Sequence, residues 1–253
     1  TPMCKKIVKP MIKDSVEITN KFRFLYETKH PCITKAIGIN DKNALFFEFN
    51  EYKLEDVLKM KINNTFKAKI ALEIAHALYY LNHKKMKNID LKIDNIRFNS
   101  FFETKLEIFE LILNDKDEND LANENDSKVF ISPEFLDNDD VDENNEKIDD
   151  AYSFGLILHY IFTQKFPLQK GKNKKRDNEI KLPLPSDSIS QFCIDLIEKC
   201  LCINQSKYPS FNEILSLMKQ NLYEFAPDVD SSILLKRDNE LDLIEYRKSR
   251  YLT

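Results

Sequence analysis

The stretch Asn88-Ile89-Asp90-Leu91-Lys92-Ile93-Asp94-Asn95 sets a carboxylate, an ammonium and a carboxamide side by side, at Asp90, Lys92 and Asn95. Groups of these types can take up a proton, face an anion and help to hold a hard divalent cation. They also build turns, because Asp and Asn side chains bond their own backbone. In a chain rich in Asp, Asn and Lys, residue types alone do not choose between the two readings. The five cysteines offer no alternative chemistry. Cys4, Cys32, Cys193, Cys200 and Cys202 are scattered and odd in number. Cys200 and Cys202 are too close for zinc-ligand spacing and have no histidine near them, so reduced core or surface thiols are expected.

The flanking segments give the loop its context. His30-Pro31-Cys32-Ile33 through Ile39 precedes it, followed by Phe46-Phe47-Glu48-Phe49 and Leu54-Glu55-Asp56-Val57-Leu58. Ser132-Pro133-Glu134, Asp150-Ala151-Tyr152-Ser153-Phe154-Gly155 and Lys207-Tyr208-Pro209-Ser210-Phe211 follow it in order. Together the six segments resemble the protein kinase family. They are similar, in turn, to its His-Pro turn and strand, its hinge and following helix, and its catalytic loop. The later three are similar to its Ala-Pro-Glu segment, its buried large-lobe helix and its closing Arg-Pro-Ser-Phe segment. The resemblance covers roughly residues 5 to 220. Tyr152-Ser153-Phe154-Gly155 and Pro209-Ser210-Phe211 lean toward the tyrosine-kinase-like (TKL) Ser/Thr kinases, and Lys92 favours Ser/Thr over Tyr kinases.

The resemblance implies roles that can be checked one by one, since kinase catalysis is positioning plus electrostatics. Asp90 stands at the catalytic base, Lys92 at the residue facing the transferring phosphate, and Asn95 at a magnesium ligand. Glu48 and Phe49 stand at the hinge that holds ATP, and Lys9 is the best match to the phosphate-holding strand lysine, with Lys5 and Lys6 as rivals. Other positions depart from the pattern. The second magnesium ligand, thirteen residues after the loop Asn, is Ile108, followed by Phe109 and Glu110. The alkyl group of Ile108 cannot coordinate magnesium, and Glu107 or Glu110 would have to supply a displaced carboxylate. The helix glutamate that should pair with Lys9 is Lys21, which repels it. The leucine under the adenine ring is Arg97, costly in an apolar slot unless it is paired, snorkels outward or plugs the pocket. Asn88 and Ile89 replace the loop His and Arg, and Tyr208 replaces the Arg that pairs with Glu134. Asp150 is retained and is expected to hold the catalytic-loop backbone.

Three glycines, Gly38, Gly155 and Gly171, leave none ahead of Gly38 for a phosphate-cradling loop. A small lobe truncated at Thr1 is one expectation from this. A net charge of −4 gives no case for nucleic acid binding, and no run approaches the ~20 apolar residues of a membrane span. No apolar leader is visible, so a cytoplasmic location is expected.

The elements that must position these groups follow from periodicity. Lys6–Val8 and Ala44–Phe49 read as strands, and Lys21–Lys29 has helical spacing. Phe66–His83 carries one apolar stripe, with Thr65 placed to cap it. Asn95–Phe98 and Lys105–Ile108 read as short strands. Ala151–Phe162 is apolar nearly all round and predicts a buried helix. Ile189–Cys202 and Phe211–Leu222 fit two more helices. The acidic stretches 115–126 and 137–146 read as solvated loops.

The expected fold is α+β and bilobal, protein-kinase-like, with a small β-rich lobe over residues 1–50 and a helical lobe over 51–222. A charged extension covers 223–253. The expected function is that of a pseudokinase, acting in signalling by binding other signalling proteins or kinases. ATP and weakened magnesium binding are its implied cofactors. The alternatives are a divergent active Ser/Thr kinase and a nucleotide-independent interaction module.

Overall fold

The computed structural model describes residues 3–6 (backbone only), 22–40, 45–60, 62–86, 89, 91–108, 150–165, 189–202 and 208–225. Two small antiparallel sheets organise the first half. Strands β1 (Met3–Lys6), β2 (Ala36–Ile39) and β3 (Leu45–Glu48) form one, in the order β1-β3-β2. Strands β4 (Tyr52–Lys53), β5 (Ile96–Phe98) and β6 (Thr104–Leu106) form the other, in sequence order. The first strand lies earlier than the expected Lys6–Val8, with Met3 opposite Glu48 and Lys6 opposite Leu45. Residues 22–27 form helix α1, where Phe22 and Leu25 are buried. His30-Pro31 ends it, as proline disfavours helix at the residue before it.

The chain after that break ties the two sheets together. The Leu106 amide donates to the Cys32 carbonyl (2.7 Å), and the Thr34 amide donates to the Leu106 carbonyl (2.9 Å). Cys32 and Ile33 are almost fully buried there.

Helix α2 (Leu54–Lys59) follows the hinge segment and buries Leu54, Val57 and Leu58. Helix α3 (Asn64–His83) is the spine of the larger part. It starts two residues earlier than its apolar stripe suggests, and its cap is Asn63 in place of Thr65. The Asn63 side chain accepts the Phe66 amide at 2.8 Å, satisfying one of the free donors at the helix start. Ile70, Ile74, Ala77, Leu78 and Leu81 form the buried stripe. The helix ends in a left-handed residue, Lys85, with φ 62°. The Met86 amide reaches back to the Leu81 carbonyl and the Lys85 amide to the Asn82 carbonyl. This is the Schellman closure that usually uses glycine at the Lys85 position, and it turns the chain toward the 89–95 loop.

Helix α4 (Asp150–Thr163) is buried from Asp150 through Phe162, as expected for a segment apolar on every side. It packs between α3 and helix α5 (Gln191–Cys200). Gly155 permits that approach: a Cβ there would lie 2.7 Å from the Cys200 Cβ. Helix α6 (Phe211–Gln220) lies on α3, and helix α7 (Leu222–Phe225) contacts α3, α5 and α6. Ser190 caps α5 and Ser210 caps α6 through their side-chain oxygens. Phe154 meets Phe211 edge-on, and Phe225 meets Phe162 and Phe192. Ring contacts of this kind add about 0.5–1.5 kcal/mol each beyond their area.

A small sheet region with one helix thus sits beside a larger helical part, the α+β bilobal arrangement expected. Cys32, Cys193 and Cys200 are buried cysteines, and Cys202 is a half-buried one. Among the described residues no helix is long and apolar enough to cross a membrane.

Candidate functional site

The 89–95 loop is fastened from below. Ile89 is 2% exposed, and its amide donates to the Asp150 carboxylate at 2.7 Å. Asp150 is itself buried at the start of α4, so a charged acceptor meets a buried backbone donor. This is the bond expected of Asp150. Leu91, Ile93 and Ile96 are buried in sequence on the same side. Their burial forces the alternate residues, Lys92 and Asp94, outward: Lys92 is half-buried and Asp94 exposed. Asp90 lies outside the described residues, between buried Ile89 and buried Leu91.

Residues Ile93–Asn95 form a 3-10 turn that delivers Asn95 to the start of β5. Asn95 is buried. Its carbonyl accepts the Glu107 amide at 2.7 Å, which extends the β5–β6 ladder by one pair. Ile108 comes next. The register therefore brings Ile108 to the same end of the hairpin as Asn95, as the count from the loop Asn expects. Ile108 is 2% exposed, an alkyl side chain seated in the apolar core. Phe109 and Glu110 lie outside the described residues. Among the described residues, no three His, Cys, Asp or Glu side chains gather as a metal site.

The β4–β5–β6 sheet carries an unusual row on one face. Lys53 stands opposite Arg97 in the β4–β5 pair, and Arg97 stands opposite Lys105 in the β5–β6 pair. Side chains alternate faces along a strand, so the three cations share a face. Phe98 and Leu106 point the other way, into the core. Like charges directly opposite repel. Lys53 is exposed and escapes into water, whereas Arg97 and Lys105 need partners.

Both find them, Lys105 at the end of β3 and Arg97 just past the end of β6. Lys105 is 6% exposed, and its Nζ lies 2.8 Å from Glu48 Oε1. The same Glu48 oxygen accepts the Lys35 amide at 3.0 Å. Arg97 Nε lies 3.7 Å from Glu107 Oε2, an ion pair too long for a hydrogen bond. Asn50 completes the group. Its Nδ2 donates to Thr34 Oγ1 at 2.9 Å and to Glu107 Oε1 at 3.3 Å. Asn50 Oδ1 and Arg97 Nε are buried and without a hydrogen-bond partner.

Of the expected site residues, Lys92 precedes the 3-10 turn that carries Asn95, and Ile108 lies at the hairpin end. Glu48 sits at the end of β3 with its carboxylate engaged by Lys105 and Lys35. Phe49 is exposed, at 44%. The carboxylate of Glu107, one of the two candidates for a displaced metal ligand, is shared between Arg97 and Asn50. The Lys9, Lys5 and Lys6 side chains, Lys21 and Glu134 lie outside the described residues, as do the acidic stretches 115–126 and 137–146. Tyr208, at the position of the missing Arg, is half-buried with its ring 6.5 Å from that of Tyr152. Burial raises the Tyr152 hydroxyl pKa.

Sequence reasoning missed the roles of Asn50 and Lys105. The signal available was charge alternation: Lys105 and Glu107 flank buried Leu106, so both must leave the core on the face that Arg97 already occupies.

The comparisons agree with this geometry. The protein kinase domain family matches residues 2–218. The chain is similar to the probable serine/threonine-protein kinase kinX of Dictyostelium discoideum, 25% identical over 202 residues, covering 76% of this chain and 18% of that protein. It is similar to human receptor-interacting serine/threonine-protein kinase 1, 26% identical over 230 residues, covering 79% of this chain and 34% of that protein. The mitogen-activated protein kinase kinase kinase dlk-1 of Caenorhabditis briggsae is 25% identical over 223 residues, covering 82% of this chain and 25% of that protein. The chain thus spans well under half the length of these relatives. With the family match running across both sheets and into α6, this chain belongs to the protein kinase domain family.

Proposed function

We propose that this chain is a pseudokinase: a kinase domain that acts in signalling by binding partner proteins and not by transferring phosphate. The observation that carries this reading is Ile108. The kinase resemblance sets it at the position of a magnesium-binding carboxylate; it is buried, and its alkyl side chain brings no anionic oxygen to the hairpin end that Asn95 shares. Magnesium takes oxygen ligands in near-ideal octahedral geometry, and among the described residues the donor set at this end of the hairpin does not fit it. Glu107 does not compensate, because its carboxylate is drawn to Arg97 and Asn50. The sequence adds a second loss, Lys21 where the lysine's ion-pair partner belongs. Each electrostatic group of this kind is worth about 3–4 kcal/mol in the transition state, or two to three decades in rate.

A second reading, a divergent active Ser/Thr kinase, is favoured by the retained Asp90, Lys92 and Asn95 and by the Ile89–Asp150 bond that still fastens their loop. The names of the relatives, serine/threonine-protein kinases, suit either reading. Incubation with radiolabelled ATP and magnesium or manganese, alongside Asp90→Asn, decides between them. The pseudokinase reading expects equal, background incorporation from both proteins. Incorporation that disappears in Asp90→Asn supports the active kinase.

A further inference from the structure

We infer that Arg97, Glu107 and Asn50 form a built-in plug at the adenine position, one that keeps a nucleotide base out. This rests on the kinase-domain reading that places Arg97 beneath the base. It goes beyond the loss of phosphate transfer, because a pseudokinase can still bind ATP.

An adenine ring needs a flat apolar floor. Here the floor position carries a guanidinium whose neighbour across the strand is Lys105 and whose counter-ion is Glu107. A free guanidinium stacks well on aromatic rings, but Arg97 is not free to do so. Its Nε is buried and drawn to the Glu107 carboxylate without a hydrogen bond. The Arg97 and Glu107 side chains keep 26% and 17% of their exposure, which is their remaining access to water. A base laid over them would remove that water from both charges and return no hydrogen bond to either, and such desolvation is costly. Asn50 pins the pair from the hinge side. Its Nδ2 bridges Glu107 and Thr34, joining the hairpin to the segment that leads into β2. Lys105–Glu48 makes a parallel link between β6 and β3. The charged groups of this row are already ion-paired, Arg97 with Glu107 and Lys105 with Glu48.

The test uses adenosine, which has no phosphates and needs no metal, so the lost magnesium site does not affect the outcome. Thermal unfolding of the full chain is measured with millimolar adenosine for wild type, Arg97→Leu/Glu107→Ala and Arg97→Met. The double variant restores an apolar floor and removes the carboxylate together with its partner. Arg97→Met keeps an unbranched apolar stem, loses the guanidinium and leaves Glu107 in place, and it serves if the double variant does not fold. For a domain of this size, a ligand at ten times its Kd raises the midpoint by about 3–6 °C. The plug predicts no shift for wild type and a shift of that order for a folded variant. A wild-type shift equal to the variant's overturns it, and so does a variant that is folded by circular dichroism and shows no shift. Adenosine binding by wild type without phosphate transfer removes the plug and leaves the pseudokinase reading standing. Transfer activity removes both.

Discussion

Removing the negative charge of Glu48 should cost more stability than removing the positive charge it faces. Lys105 is the more deeply buried partner, with 8% of its side chain exposed against 27% for Glu48, and the contact is 2.8 Å. In Glu48→Gln the ammonium stays buried, keeps Arg97 as a like-charged cross-strand neighbour, and loses its counter-ion. Breaking a fully buried pair costs about 3–5 kcal/mol. The partial exposure of Glu48 reduces this to roughly 2–3 kcal/mol, a fall in midpoint of about 5–10 °C. The side-chain carboxamide that replaces the carboxylate can still accept the Lys35 N–H, so the loss reports on the charge. In Lys105→Met, by contrast, Glu48 is exposed enough for water to serve it, and the repulsion with Arg97 disappears. The expected cost is below about 1 kcal/mol. Glu48→Gln/Lys105→Met should then lie close to Lys105→Met alone. Urea unfolding of the four proteins measures all of this. A Glu48→Gln cost smaller than that of Lys105→Met, or a double variant equal to the sum of the singles, refutes the reasoning.

Other expectations concern the frame beneath the site. Asp150→Ala strands the buried Ile89 amide and should cost about 1–3 kcal/mol; hydrogen exchange at Ile89 should speed up with it, while Asp150→Asn, which keeps an acceptor, should fall between. Gly155→Ala puts a Cβ 2.7 Å from the Cys200 Cβ and 3.0 Å from Leu201 Cδ2. Overpacking of about 1–3 kcal/mol should outweigh the helix-propensity gain of about 1 kcal/mol, and the thermal midpoint should drop. His76 is held down to about 4, first by burial and then by Lys219, against an opposing pull from Glu73. Its folded value lies below the unfolded 6.5, so the unfolded chain binds the extra proton between the two. The neutral form contributes full stability above the unfolded value and loses it as pH falls toward the folded one, by at most about 3 kcal/mol. His76→Gln should flatten the midpoint-versus-pH curve in that window.

Much of the frame was legible in the sequence because it rests on apolar periodicity. The stripe Ile70-Ile74-Ala77-Leu78-Leu81 and the all-round apolar run 151–162 each produced the helix they imply. The end of α3 was less legible: nothing in Lys84-Lys85 announces a left-handed residue where glycine is usual. Its cap was read two residues late: Thr65 suits a cap by type, but the helix starts at Asn64 and the Asn63 side chain accepts the Phe66 amide. At the site, the motif gave positions and not partners. Counting thirteen residues from Asn95 reaches Ile108, and the bond from the Glu107 amide to the Asn95 carbonyl sets Ile108 one residue past that pair. The fate of Arg97 depended on Glu107 and on Asn50 in the distant hinge segment, and no local rule connects them. Lys105 read as an ordinary strand lysine until the pairing set it against Arg97 and so required Glu48.

The central claim is that the chain kept the fold and the base of a kinase and lost two of the groups that handle phosphate, at Ile108 and Lys21. Phosphate incorporation from radiolabelled ATP by wild type, set against Asp90→Asn under magnesium and then manganese, tests it most directly. Two lost electrostatic groups, at roughly two to three decades each, predict incorporation indistinguishable between the two proteins. Wild-type incorporation that exceeds Asp90→Asn with either metal contradicts the claim.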